Sequence, residues 1–85
     1  MARTIPEEFI YQIHRFIDGE VTFPQLSDWA HEHFQDIIAI DREDIRKVWQ
    51  EVDVSRQEFK DGHATEPGIR KTLAIMVSKM EENDA

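Results

Sequence analysis

Cysteine is absent from this sequence of 85 residues, and glycine and proline occur only three times each. Without a thiol the chain has no disulfide, no thiolate metal site and no cysteine nucleophile, a composition expected of a protein in a reducing cytoplasm. Three scattered glycines do not form a glycine-rich phosphate-binding loop. Because the N-terminus lacks an apolar core and the longest apolar run is Leu73 to Val77, we expect neither a signal peptide nor a membrane span.

Basic side chains are also scarce, and one long stretch has none. The chain has 10 Lys and Arg against 18 Asp and Glu, which gives a formal net charge of −8. No Lys or Arg lies between Arg15 and Arg42, whereas this stretch carries the six acids Asp18, Glu20, Asp28, Glu32, Asp36 and Asp41. This excess of negative charge argues against nucleic acid or an anionic membrane as the partner and favours a basic protein. Solubility alone is the alternative explanation.

The sequence lacks the sustained alternation of apolar and polar residues that is typical of a β-strand, and it contains four amphipathic segments with helical spacing. Each segment begins with a helix-capping signal. Thr4 and Thr65, before the first and fourth segments, each precede an early proline. Thr22 precedes Gln25 by three positions at the start of the second segment, and Asp41 precedes the third. The sequence therefore predicts an all-α fold, a small antiparallel four-helix bundle formed by one domain over residues 1–85. The predicted helices span about 6–18, 23–36, 42–61 and 66–81, with Gly19 and Gly62 as stops and an acidic frayed tail at 82–85.

The apolar faces of these helices predict the core. The residues expected to be buried are Phe16, Trp29, Trp49 and Leu73. Tryptophan is also frequent as an interface anchor, so an interface role for the two tryptophans stays open. Tyr11 and Phe23 lie off or at the edge of their apolar stripes, and we expect both rings to be partly exposed. The segment 36–41 either ends the second helix or lines the connection that follows it.

Histidines and carboxylates are numerous enough to raise the question of a metal site. His31 and His33 are two positions apart and point about 200° apart around a helix, so they cannot bind one ion together. Asp28 and His31 have the spacing of half a carboxylate-bridged site, but no other helix carries a matching set. The serines lie in no glycine elbow and form no recognisable triad. We therefore expect no catalytic residue, no metal and no cofactor, and the chain is not predicted to be an enzyme.

A series of apolar and capping residues resembles a known family. It comprises Phe16 to Leu26, Trp29, Ile45, Val48, Trp49, Val52, Asp53, Thr65, Glu66, Ile69, Arg70 and Leu73. This series resembles the bacterial self-protective, colicin-like immunity proteins of the colicin D immunity protein type. The resemblance implies a four-helix bundle whose acidic groove covers the basic active site of a nuclease toxin and imitates its RNA substrate. It transfers no individual binding residue to this chain.

The charge pattern supplies the candidate binding residues, which are Asp28, Glu32, Asp36, Asp41, Glu20 and Phe23. On a continuous helix, Asp28, Glu32 and Asp36 form a row at i, i+4 and i+8. We interpret the chain as an acidic protein-binding module, foremost an immunity-type inhibitor of a nuclease toxin. A small regulatory or scaffold bundle and a phage-type inhibitor that mimics nucleic acid are the alternatives. A monomer and a weak homodimer both fit a chain of this size.

Overall fold

The computed structural model describes residues 4–83 and shows five helices within them. These are α1 (Ile5–Ile17), α2 (Phe23–Glu32), α3 (Phe34–Ile38), α4 (Glu43–Lys60) and α5 (Glu66–Asn83). Turns and short connections make up the rest of the described chain, which contains no strand. The predicted all-α class is confirmed, and the predicted helix boundaries agree to within about two residues except in the second helix.

Threonine caps explain where three of the helices begin. Thr22 and Gln25 form a complete capping box, because Gln25 N–H donates to Thr22 Oγ1 at 3.3 Å and Thr22 N–H donates to Gln25 Oε1 at 2.8 Å. Thr4 accepts from the N–H of Glu7 at 3.4 Å, and Thr65 accepts from the N–H of Gly68 at 3.3 Å. These three predicted helix starts are confirmed.

The start of α4 differs from the prediction that Asp41 caps it. Arg42 occupies the capping position with an extended backbone and makes no side-chain capping bond. Asp44, in the first turn, instead accepts the N–H of Ile45 at 2.9 Å and pairs with Arg42 at 2.6 Å. The hydrogen bond from the Arg42 guanidinium lowers the pKa of Asp44 below its ordinary value. Asp41 lies one residue too early and stays exposed in the α3–α4 connection.

The helix predicted over 23–36 is interrupted at His33, which corrects the four-helix prediction at this corner of the bundle. His33 has φ −106° and ψ 17°, outside the helical range, and separates α2 from the short α3. Its imidazole Nδ1 lies 2.9 Å from the carbonyl oxygen of Trp29, and its ring stacks on the Trp29 indole at 4.3 Å. The segment 36–41 thus contains the end of α3 and the connection to α4.

The core lies between α1 and α4, each of which packs against both α5 and the α2–α3 pair. Its fully buried members include Phe9, Ile13 and Phe16 of α1, Leu26 and Ala30 of α2, Ile37 of α3, Ile45 and Val52 of α4, and Leu73 and Val77 of α5. The short connections after α1 and α4 turn at Gly19 (φ 81°) and Gly62 (φ 79°), and these two predicted helix stops are confirmed. This contact pattern is that of a small helical bundle.

Several burial predictions are confirmed and others are wrong. Phe16 and Leu73 are fully buried, and Tyr11 is 40% exposed, all as expected. The prediction that Trp29 and Trp49 are buried is wrong in part. Both side chains are partly buried and pack against the core cluster.

The prediction of an acidic frayed tail also changes. Glu81 and Glu82 belong to α5, and Glu81 Oε1 lies 2.7 Å from His14 Nε2 of α1. The remainder of the predicted tail, residues 84 and 85, lies outside the described residues.

Candidate protein-binding surface

Four exposed carboxylates lie on and just beyond the α2–α3 pair, and we call them the acidic surface: Asp28, Glu32, Asp36 and Asp41. Within residues 4–83, none of the four makes an ion pair or a side-chain hydrogen bond. Several acids elsewhere are partnered, as Asp44 is by Arg42 and Glu81 by His14. The acidic surface therefore presents negative charge that no described side chain neutralises.

The break at His33 changes how these carboxylates are arranged. Asp28 and Glu32 remain one turn apart on α2, so this part of the predicted row is confirmed. Asp36 belongs to α3, and Asp41 lies in the connection before α4. The predicted row of three carboxylates on one continuous helix is therefore wrong. The acidic surface consists of a pair on α2 and two further carboxylates on the segment that follows the break.

Glu20 differs from the four carboxylates of the acidic surface. It lies in the connection between α1 and α2 and is exposed. Its Oε2 lies 3.6 Å from Nε of Arg15, in the last turn of α1. Because this partner offsets its charge, Glu20 is a weaker candidate for attracting a cation than the unpaired carboxylates.

Phe23 was predicted to be partly exposed and available to a partner, and this prediction is wrong. Its side chain is 1% exposed, and its ring centroid lies 5.7 Å from that of Phe16 and 5.5 Å from that of Phe59. The backbone N–H of Phe23 donates to a carboxylate oxygen of Glu66, at the start of α5. The end of α1, the start of α2, the end of α4 and the start of α5 converge here, so Phe23 is a core residue.

A group of aromatic side chains, which the sequence did not reveal as a unit, fixes α2 and α3 beneath the acidic surface. The Trp29 ring is stacked with Phe9 of α1 at 6.1 Å and with His33 at 4.3 Å. The ring of Phe34 lies 4.9 Å from that of Trp49 on α4. These contacts tie α2 and α3, which carry three of the four carboxylates, to both α1 and α4. The tryptophans thus position this surface.

Across residues 4–83, the His, Asp and Glu side chains form no group of three that is suited to holding a metal ion. None of the described helices combines the length and apolarity needed to span a bilayer.

A solvent-open groove of 540 Å³ lies between α1 and α5, lined by residues that include Ile10, Tyr11 and Met80. None of the four acidic-surface carboxylates lines this groove.

Comparison with known proteins adds no assignment to this geometry. No family model, curated protein or solved structure matches the chain. The resemblance to colicin-like immunity proteins therefore stays a prediction. What the described residues offer is an exposed, unpaired set of carboxylates on a helical corner that aromatic packing holds in place.

Proposed function

We propose that this chain is a protein-binding module whose acidic surface docks onto a basic region of another protein. One observation carries the proposal. Asp28, Glu32, Asp36 and Asp41 are exposed and unpaired within residues 4–83, and they belong to a stretch of sequence without Lys or Arg. A cationic partner would supply the neutralising charge that the described chain lacks.

The electrostatics of such docking favour fast and selective association. Several unpaired carboxylates on one segment of the chain attract a basic partner at a distance, which raises the association rate. The same charges repel acidic proteins and nucleic acid. Asp28 and Glu32, at i and i+4, destabilise α2 by a few tenths of a kcal/mol in isolation, so the arrangement has a small cost that a partner would remove.

The more specific form of the proposal is that the partner is a nuclease toxin domain and that docking inhibits it in the cytoplasm. A nuclease site is basic because it must bind phosphates, and carboxylates can occupy the same electrostatic field. This form rests on the resemblance to immunity proteins together with the exposed acids. It makes the chain an inhibitor that works by covering a site, without a catalytic residue of its own.

The test requires a nuclease toxin whose gene lies beside the gene for this chain, and it uses the catalytic domain of that toxin; absence of such a gene would contradict the inhibitor form. Glu32→Lys and Asp36→Lys each reverse one charge of the acidic surface. We expect each to slow association and weaken the affinity at least tenfold in surface plasmon resonance. Glu82→Lys is the matched control. Glu82 is exposed on α5, and this substitution changes the net charge by the same amount as the other two. Glu81 is unsuitable as a control, since it pairs with His14.

The outcomes separate the candidate functions. A large loss for the two acidic-surface variants and little loss for Glu82→Lys supports docking through this surface. Equal losses for all three variants would mean that net charge alone drives association. Absence of binding to the toxin domain would contradict the inhibitor form and favour a regulatory or scaffold bundle.

A further inference from the structure

His31 is held in a hydrogen-bonding arrangement that a neutral imidazole cannot satisfy. Its Nδ1 lies 3.0 Å from the backbone carbonyl oxygen of Ser27, one turn earlier on α2. Its Nε2 lies 3.2 Å from Oδ1 of Asp53 on α4. A carbonyl oxygen and an ionised carboxylate oxygen are both acceptors without a proton to give. Both ring nitrogens of His31 therefore face acceptors.

The protonation state decides how many of these contacts are hydrogen bonds. A neutral imidazole carries one N–H, so either tautomer directs a lone pair at one of the two acceptors. The imidazolium carries two N–H groups and donates to Ser27 and Asp53 at once. The bond to Asp53 is then charge-assisted and joins α2 to α4. His33 does not need to be protonated in the same way. Its Nδ1 faces the Trp29 carbonyl oxygen, and the single N–H of a neutral imidazole satisfies that contact.

The surroundings of His31 leave Asp53 as its ion-pairing partner within the described chain. The α4 helix also places the Trp49 ring 6.0 Å away, and Arg56 and Lys60 share a surface groove with Asp53 without lying within 4.0 Å of its carboxylate. The helices α1 and α3 bring no carboxylate of residues 4–83 within 4.0 Å of the imidazole. On α2 itself, Asp28 precedes His31 by three positions, and Glu32 follows it directly.

We propose that His31 is a proton-dependent clamp between α2 and α4 that also regulates the charge of the acidic surface. Protonation closes the clamp through Asp53 and adds a positive charge to α2, three positions after Asp28 and directly before Glu32. Acidification thus fastens α2 to α4 and weakens the attraction for a basic partner. The first effect belongs to the isolated chain. The second rests on the proposed function.

The clamp is tested on the isolated protein by urea unfolding at pH 5.5 and pH 8, a range that spans the usual change of charge of histidine. We expect Asp53→Asn to lower the urea midpoint at pH 5.5, and this loss to shrink or reverse at pH 8. In a His31→Gln background the effect of Asp53→Asn should be the same at both pH values. A pH-independent loss in the wild-type background would overturn the clamp, because the contact would then not require the imidazolium.

The effect on the acidic surface is tested with a nonaarginine peptide as the basic probe. We expect the wild-type chain to bind it several-fold more weakly at pH 5.5 than at pH 8, and His31→Gln to reduce this ratio. His63→Gln is the matched control, since His63 is exposed in the α4–α5 connection and should leave the ratio unchanged. Equal ratios for wild type and His31→Gln would overturn the regulatory role. Failure to bind at either pH would contradict docking through the acidic surface, and with it the regulatory role, while the urea result on the clamp would stand.

Discussion

Arg70 of α5 contacts the last turn of the neighbouring helix α1. Its Nε donates to the carbonyl oxygen of Phe16 at 3.0 Å, and its guanidinium carbon lies 4.9 Å from the centroid of the Phe16 ring. The Phe16 carbonyl oxygen also accepts from the backbone N–H of Gly19 at 3.0 Å, so Arg70 is its second donor, and an aromatic face attracts a cation. One side chain of α5 thus adds a second hydrogen bond to a backbone acceptor of α1 and lies over a core ring.

The first prediction concerns this contact. Arg70→Gln should reduce the free energy of unfolding by about 1–2 kcal/mol, because it removes a charged donor and a cation–π contact together. Lys71→Gln removes the same charge from the next residue, which is exposed, and should change stability by no more than about 0.5 kcal/mol. Urea unfolding of both variants gives the comparison. Equal losses would show that only the charge of α5 matters.

Ser27 is the second position at which the structure predicts a measurable effect. Its hydroxyl is buried and has no hydrogen-bond partner among the described residues. Ser27→Ala should therefore raise the free energy of unfolding by about 1 kcal/mol, since it removes an unsatisfied polar group and improves helix propensity. The buried Ser55 is the control, because its Oγ donates to Glu51 at 3.4 Å and Ser55→Ala should bring no gain. A loss of stability in Ser27→Ala would contradict this reasoning.

Trp49 allows ring packing to be separated from its polar N–H. Its Nε1 is buried and has no acceptor within residues 4–83, while its ring contacts Phe34. Trp49→Phe keeps an aromatic ring and should cost less than about 1 kcal/mol, whereas Trp49→Ala should cost about 3 kcal/mol. Thermal and urea unfolding measure both. Similar losses for the two variants would indicate that Nε1 has a partner in solution.

The pKa of Asp44 predicts a pH dependence at the start of α4. The hydrogen bond from Arg42 lowers this pKa below its ordinary value of 3.8 in the folded chain, so the folded state binds this proton less readily than the unfolded state. The stabilisation is therefore complete above pH 3.8 and is lost as the pH falls through the lower, folded-state pKa. Asp44→Asn should be less stable than wild type at neutral pH, and the difference should narrow below pH 3.8. A constant difference in urea midpoint from pH 7 to pH 2.5 would contradict the assignment.

Most of the fold could be predicted because local signals agree with the final packing. The threonine caps at Thr4, Thr22 and Thr65 act within one turn and need no tertiary contact. The break at His33 could not be predicted from the apolar pattern. Leu26, Ala30 and Ile37 fall on one face of a helix with or without an interruption, so the same spacing describes both conformations.

Of the candidate binding residues, the four exposed carboxylates could be predicted from the sequence, but the burial of Phe23 could not. Charge counts along the chain found the four carboxylates, and their exposure follows from their polarity. The burial of Phe23 depends on Phe59, which is distant in sequence, and on Phe16, which the turn at Gly19 brings against it. Arg42 likewise replaced the expected Asp41 cap through its contact with Asp44. Contacts across the bundle decided each of these positions.

The brevity of α3 has a consequence for how the molecule acquires its structure. Five residues are far too few for a helix to persist alone, since isolated helices shorter than about 12 residues are marginal in water. The helix therefore forms only when Ile37 reaches the core between α1 and α4. Backbone amides of 34–38 should exchange with deuterated solvent sooner than those in the middle of α4. Asp36 thus lies on a segment whose helical order depends on its packing against the rest of the bundle.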